Sequence, residues 1–281
     1  MGKISQFHSI HNHSNFSDGA DSIFDIVEQA QNIGLSTVGI SDHLCVYNNH
    51  KGSHMEGKDI GAYVKEIEKA RKHFKGMKIL LGAEVDIPLN AEQLKTLARI
   101  KAAYKFDYYI GSQHCIPYDN EEGRWTIGSP EMLGITDPAL VLQIQEIYWD
   151  SLLIFARERI FDIIGHMDFI GWISNPMENE NIRQKVKYFL SMVKLYKKTI
   201  EINTDPLSYI DDCNPASDIL DLVLKSNIPV LITSDSHNKN NLTYKFDFMN
   251  DRASEIINKK YTLYNPYRPK NKIVRQLTFC R

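Results

Sequence analysis

His11-Asn12-His13, Ser17-Asp18-Gly19 and Ser41-Asp42-His43 bring His11, His13, Asp18 and His43, all able to hold a metal, into one short N-terminal stretch. His11 and His13 follow an apolar segment, 7–10, with strand character. Side chains two apart on a strand point the same way, so both imidazoles can reach one ion. Downstream, Glu84, His114, His166 and the pair Asp235/His237 each follow an apolar run of the same kind. These nine groups are too many for one tetrahedral ion and suit two or three. All are imidazole or carboxylate, a donor set that selects Zn, Mn or Fe over Mg, Ca or soft-metal sites. Three carboxylates against several divalent ions leave an excess of positive charge for hydroxide and an anionic ester. Such a centre activates water and clamps the oxygens of a displacement at phosphorus. The chemistry indicated is phosphate ester hydrolysis on a small phosphorylated substrate, ahead of redox work or ion buffering.

Elements must place these groups together. Strand-like runs are expected at 7–10, 36–40, 78–82, 108–111, 161–164, 199–202 and 229–233. Helical periodicity fills the gaps, at 21–33, 63–74, 91–103, 138–159, 182–196 and 216–225. Gly34 is placed to cap the first of these helices. Strands alternating with helices predict a parallel sheet with crossover connections. An open sheet would hold its outer strands too far apart to share one site. A barrel brings every carboxyl end to one mouth, so the expected α/β fold is a barrel. The connection 115–136 is long enough to be a lid or binding loop, and carries Asp119, Glu121, Glu122, Arg124 and Trp125. The expected organisation is a single domain over 1–281, with the motifs in 7–238 and a helix and tail over 239–281 packed on the barrel.

Composition sets the class. Apolar residues make up 43% of the 281 and charged residues 24%, as in ordinary globular proteins. The formal charge of −2 with no basic block argues against a nucleic-acid-coating surface. Cys45, Cys115, Cys213 and Cys280 lack metal spacing and read as free thiols. No apolar run approaches the ~18 residues of a membrane span, and no signal peptide opens the chain, so a cytoplasmic, membrane-free protein is expected.

The full motif set adds Gly82-Ala83-Glu84, Gly111-Ser112-Gln113-His114, Gly165-His166-x-Asp168 and Ser234-Asp235-x-His237. It resembles the PHP (polymerase and histidinol phosphatase) superfamily, and in order and spacing its histidinol-phosphate phosphatase branch. The resemblance implies a distorted (β/α)7 TIM-like barrel with a trinuclear metal site at the C-terminal ends of the strands. It implies a first metal on His11, His13, Glu84 and Asp235. A second would take Glu84 as a bridge with His114 and His166, and a third Asp18, His43 and His237. The implied reaction is L-histidinol phosphate plus water to L-histidinol plus phosphate, in histidine biosynthesis; a nucleotide or another small phosphate ester is the alternative substrate.

The resemblance also implies an Arg or Lys soon after Gly165-His166-x-Asp168, but the chain reads Phe169-Ile170-Gly171-Trp172. Arg124, Arg157 and Arg159 are the candidate substitutes. Gln113 is a candidate for substrate contact or for orienting a ligand. Asp42 and Asp168 are candidates for the acid that protonates the leaving group, or for orienting ligands. His50 and His54 are candidate substrate contacts, while Trp125 and Trp172 could line the pocket. His8, on the other side of its strand, has a structural reading. Two rivals come from other classes. An amidohydrolase barrel also opens with His-x-His but places a bridging Lys after its fourth strand, where this chain has Gln113-His114. A catalytically silent metal-binding module is the other.

Overall fold

The computed structural model describes residues 8–46, 55, 59–86, 90–117 and 124–256. In chain order the elements are β1 (His8–Ser9), α1 (Ile23–Asn32), β2 (Thr37–Ile40), β3 (His43–Leu44), α2 (Ile60–His73), β4 (Lys78–Asp86), α3 (Ala91–Tyr104) and β5 (Tyr108–Ser112). Then follow β6 (Cys115–Pro117), β7 (Arg124–Thr126), α4 (Pro130–Leu133), α5 (Pro138–Arg157), β8 (Ile163–Ile164), α6 (Glu180–Leu195), β9 (Thr199–Asn203), α7 (Ser217–Lys225), β10 (Val230–Thr233) and α8 (Phe246–Ile256). All seven expected strands and six expected helices are present.

The sheet runs β1-β2-β4-β5-β8-β9-β10, every pairing parallel, with β3 continuing the line of β2 against β4. Its two edges meet through a parallel bridge between Asn12 and Ser236. The His13 N–H donates to the Ser236 carbonyl at 2.8 Å, and the Ser236 N–H to that of His11 at 3.1 Å. The result is the expected α/β barrel, closed by the segments that carry the candidate ligands.

Alternation along the strands separates two cores. Ile10, Leu80, Tyr108, Ile110, Ile163 and Leu231 form a small inner cluster. The larger cluster, with Val38, Ile79, Leu81, Ile164, Ile200 and Ile232, lies where the sheet meets the helices. Tyr108 takes up much of the inner space, and its hydroxyl donates to the Ile10 carbonyl at 2.5 Å. Gly39 and Gly82 leave room for it; a Cβ at Gly82 would stand 2.2 Å from the Tyr108 ring.

Three features depart from the sequence reading. β4 runs to Asp86, past the expected end at 82, because β3 and β5 extend along its two sides; Glu84 is therefore inside a strand. The connection after β5 contains the antiparallel ribbon β6–β7 and the short α4, capped by Ser129. Helix α5 is long and apolar enough to cross a membrane, contrary to the expectation of no such run. It buries Ile144, Tyr148, Trp149, Leu152 and Phe155, and Trp149 meets Phe189 of α6 edge-on. That stripe is the one a helix packed against a barrel needs. The tail beyond 256, with Cys280, lies outside the described residues; Cys213 is a free, buried thiol.

Gly82→Ala should destabilise the barrel by about 1–3 kcal/mol, because Tyr108 has no empty space to move into. Denaturant unfolding checks this, and an unchanged midpoint would contradict the packing described.

Candidate metal centre

His11 and His13 leave β1 on one side, while Asn12 between them turns away and donates to the Gly39 carbonyl at 2.8 Å. Both imidazoles are buried and face Glu84 of β4 and Asp235, which follows β10. His11 Nε2 lies 3.3 Å from Glu84 Oε2 and 3.2 Å from Asp235 Oδ1; for His13 Nε2 the distances are 3.4 and 3.0 Å. These four atoms are buried with no hydrogen-bond partner. Ligand atoms about 2.0–2.1 Å from one tetrahedral ion stand about 3.3 Å apart, so the spacing fits a shared metal. Asp235 reaches this place from a left-handed backbone, φ 46°, a conformation aspartate tolerates better than most residues. Asn203 Nδ2 holds its other oxygen at 2.9 Å.

Two further groups could hold ions: His43, Glu84 and His114, and, nearer solvent, His13, Asp18, His43 and His237. Glu84 faces every inner imidazole. Its oxygens lie 3.0 Å from His43 Nδ1, 2.9 Å from His166 Nε2 and 3.7 Å from His114 Nε2. Asp18 lies 3.3 Å from His43, 3.4 Å from His237 and 3.5 Å from His13. All nine expected ligands thus gather at the carboxyl ends of the strands. His13 and His43 each stand between two groups: His13 turns Nε2 to Glu84 and Asp235 and Nδ1 to Asp18, and His43 turns Nδ1 to Glu84 and Nε2 to Asp18.

Charge inside the cluster is mutually arranged before any ion binds. Burial alone would raise the Glu84 pKa, yet His11, His43 and His114 pull it well below the ordinary range. Burial would likewise lower His11, but Asp235, Glu201 and Glu84 raise it well above 6.5. His13 is lowered by burial and by His43. On the outside, burial of His237 is outweighed by Asp18 and Asp235, which lift it to about 9.

Other expected residues stand elsewhere. Asp42 is buried and accepts from Ser14 N–H at 2.8 Å, Ser14 Oγ at 2.7 Å and Ser17 Oγ at 2.6 Å. It holds the loop that presents Asp18, which fits orientation and leaves no oxygen turned to a leaving group. Asp168 accepts from Asn214 Nδ2 at 2.9 Å and from the Ala216 N–H at 2.6 Å, and burial raises its pKa to about 6. Its contacts likewise favour fixing a turn over donating a proton.

Gln113 donates to Ser151 of α5 at 2.8 Å, so it faces the helix layer and not the mouth. Arg157 and Arg159 are exposed before β8, at the amino-terminal end of the barrel and opposite the cluster; Arg157 contacts Tyr188. Neither can serve the phosphoryl group there. Arg124 lies on β7, and its side chain, with that of Trp125, falls outside the described residues, as do Asp119, Glu121, Glu122, His50 and His54. His8 is partly buried, and this burial lowers its pKa to about 4, which suits its structural reading.

Two carboxylates were missed. Glu201, fully buried on β9, lies 2.5 Å from His11 Nδ1 and accepts from the His166 N–H and from Thr233 Oγ1, both at 2.7 Å. A carboxylate behind a metal-facing histidine fixes its tautomer and raises its basicity. Asp86 lies behind His114, accepting its backbone N–H at 3.0 Å with Oδ2 3.5 Å from the ring Nδ1. The signal was available for Glu201: in Thr199-Ile200-Glu201-Ile202-Asn203 the polar residues alternate with isoleucines of the outer core.

A parallel barrel with histidines and carboxylates gathered at one mouth defines a class of metal-binding barrel. The chain belongs to the PHP domain family, whose profile matches residues 9–205. It is 23% identical over 225 residues to the "Probable histidinol-phosphatase" of Deinococcus radiodurans, covering 78% of this chain and 81% of that one. Its fold is similar to that of a candidate histidinol phosphatase, hisK, from Listeria monocytogenes, with TM-score 0.73 and 18% identity over 86% of this chain and 99% of that one. Similar too is the histidinol phosphate phosphatase of Lactococcus lactis, solved with Zn, L-histidinol and phosphate. There the TM-score is 0.65 and the identity 21%, over 92% of this chain and 97% of that one.

Glu201→Gln should keep the fold and weaken metal binding about 10–100-fold. Competition with a chelating dye measures this, and unchanged affinity would count against the role given to Glu201. His237 carries a second expectation. Its folded pKa exceeds the unfolded value of about 6.5, so its pairing with Asp18 stabilises the ion-free protein fully below that pH. The contribution is lost as pH rises through about 9. Metal addition at pH 7 should therefore release protons, and affinity for the outermost ion should rise with pH towards 9. Dye-monitored proton release would show it.

Proposed function

We propose that this chain is a metal-dependent phosphomonoesterase acting on L-histidinol phosphate. The observation that carries the reading is Glu84, a buried carboxylate with five imidazoles within 3.7 Å. That donor set suits two to three divalent ions of the Zn, Mn or Fe kind. When bound, they lower the pKa of water and neutralise phosphoryl oxygens. His11, His13, Glu84 and Asp235 hold the inner position. His43, Glu84, His114 and His166 surround the second, and His13, Asp18, His43 and His237 the outer one. Glu201, Asp86 and Asp42 keep these groups aimed, so that little reorganisation is needed when an anionic ester arrives. The name of the Deinococcus relative, and the Zn, L-histidinol and phosphate held by the Lactococcus protein of the same fold, support the substrate assignment.

Freshly purified protein should contain about two to three ions per chain, and Glu84→Gln should reduce that number and lower kcat about 10²–10³-fold or more. Elemental analysis and phosphate release from L-histidinol phosphate measure both. Fewer than one ion in the unmodified protein would overturn the centre, and faster release from nucleoside monophosphates would move the substrate to that class.

A further inference from the structure

Beyond β9 the chain turns through Asp205–Ser208 and reaches Tyr209 at the rim of the mouth. The Asp205 N–H donates to Asn203 Oδ1 at 2.9 Å, and the same Asn203 side chain holds Asp235. The turn is thereby tied to the metal cluster. Asp205 is half-buried, and its carboxylate lies close enough to Tyr209, Asp235, His237 and His11 to interact electrostatically with each. No lysine or arginine among the described residues is ion-paired with it.

Tyr209 stacks on Trp172, with centroids 5.5 Å apart and planes at 25°, and the two residues are 52% and 40% exposed. Trp172 ends a short 3-10 helix whose first residue, Phe169, lies 5.0 Å from the His166 ring and 5.6 Å from that of His114. Aromatic residues thus extend from the cluster to the rim, in the segment where a phosphate-binding base was expected.

We propose that Asp205, with Tyr209 and Trp172, binds the cationic end of the leaving group, a protonated amine or imidazolium carried on the alcohol of the phosphate ester. The inference rests on the phosphomonoesterase reading and specifies its substrate class. Bound divalent ions attract the phosphoryl end of such a substrate and repel its cationic end. A carboxylate displaced from the ions relieves that repulsion, and aromatic faces add attraction for a cation. An uncharged alcohol gains nothing from Asp205, so the residue determines specificity without taking part in the chemistry.

The test compares L-histidinol phosphate with phenyl phosphate on metal-loaded protein. Asp205→Asn should raise KM for L-histidinol phosphate about tenfold or more, the usual weight of a charge-assisted contact. Its kcat and metal content should stay near those of the unmodified protein, as should kcat/KM for phenyl phosphate. An equal loss on both esters, or no loss on either, overturns the proposal. Calorimetric binding of L-histidinol itself is the second arm. Binding at least about tenfold weaker to Asp205→Asn supports the pocket, while equal affinity, or no binding to the unmodified protein, overturns it. Were neither ester cleaved by the unmodified protein, the phosphatase reading would fall, and this binding arm would still decide the pocket.

Discussion

Glu84 is a carboxylate near the carboxyl end of a parallel barrel strand, 1% exposed and facing inward. An ionised carboxylate in that position is costly unless positive charge and hydrogen-bond donors surround it. The protein surrounds it with imidazoles from five places in the chain, His11, His13, His43, His114 and His166. Only a closed ring of strands lets segments so distant in sequence converge on two oxygen atoms. The architecture and the cluster are consequences of one electrostatic requirement.

That requirement also explains the supporting groups. A histidine beside a buried carboxylate can tautomerise or swing away unless its other nitrogen is engaged. Glu201 engages His11, and Asp86 lies behind His114, fixing its backbone N–H as well. Asn203 secures Asp235, and Asp42 ties Ser14 and Ser17 under Asp18. The bridge between Asn12 and Ser236 closes the barrel at the same level. Loss of closure would therefore separate His11 and His13 from Asp235 and His237. Stability and site geometry are coupled through a few hydrogen bonds.

The mouth is graded. The innermost groups are almost fully buried, whereas Asp18 and His237 have side chains 33% and 43% exposed. Ions nearest Glu84 would be shielded by protein, and the outermost would meet solvent and substrate first. The rim continues the gradient with Asp205, Tyr209 and Trp172, where the described surface changes from metal donors to a carboxylate beside aromatic rings.

Amino-acid type and spacing alone disclosed the nine candidate ligands, the seven strands and the barrel, since strand alternation and strand-end placement are local properties. Membership in the PHP family was legible for the same reason, through short motifs that each occupy one strand end. What the sequence left open depended on direction. Arg157 and Arg159 had suitable chemistry, but their place at the wrong end of the barrel follows from the run of α5 into β8. Asp42, Asp168 and Gln113 sit beside ligands in sequence, yet their hydrogen bonds turn them into the protein. Glu201 and Asp86 gave no motif, and their roles came from facing histidines far away in the chain. Neighbours along the chain fix which groups are available; folding into a closed barrel decides which of them face the same few cubic ångströms, because orientation and charge compensation are properties of three-dimensional packing.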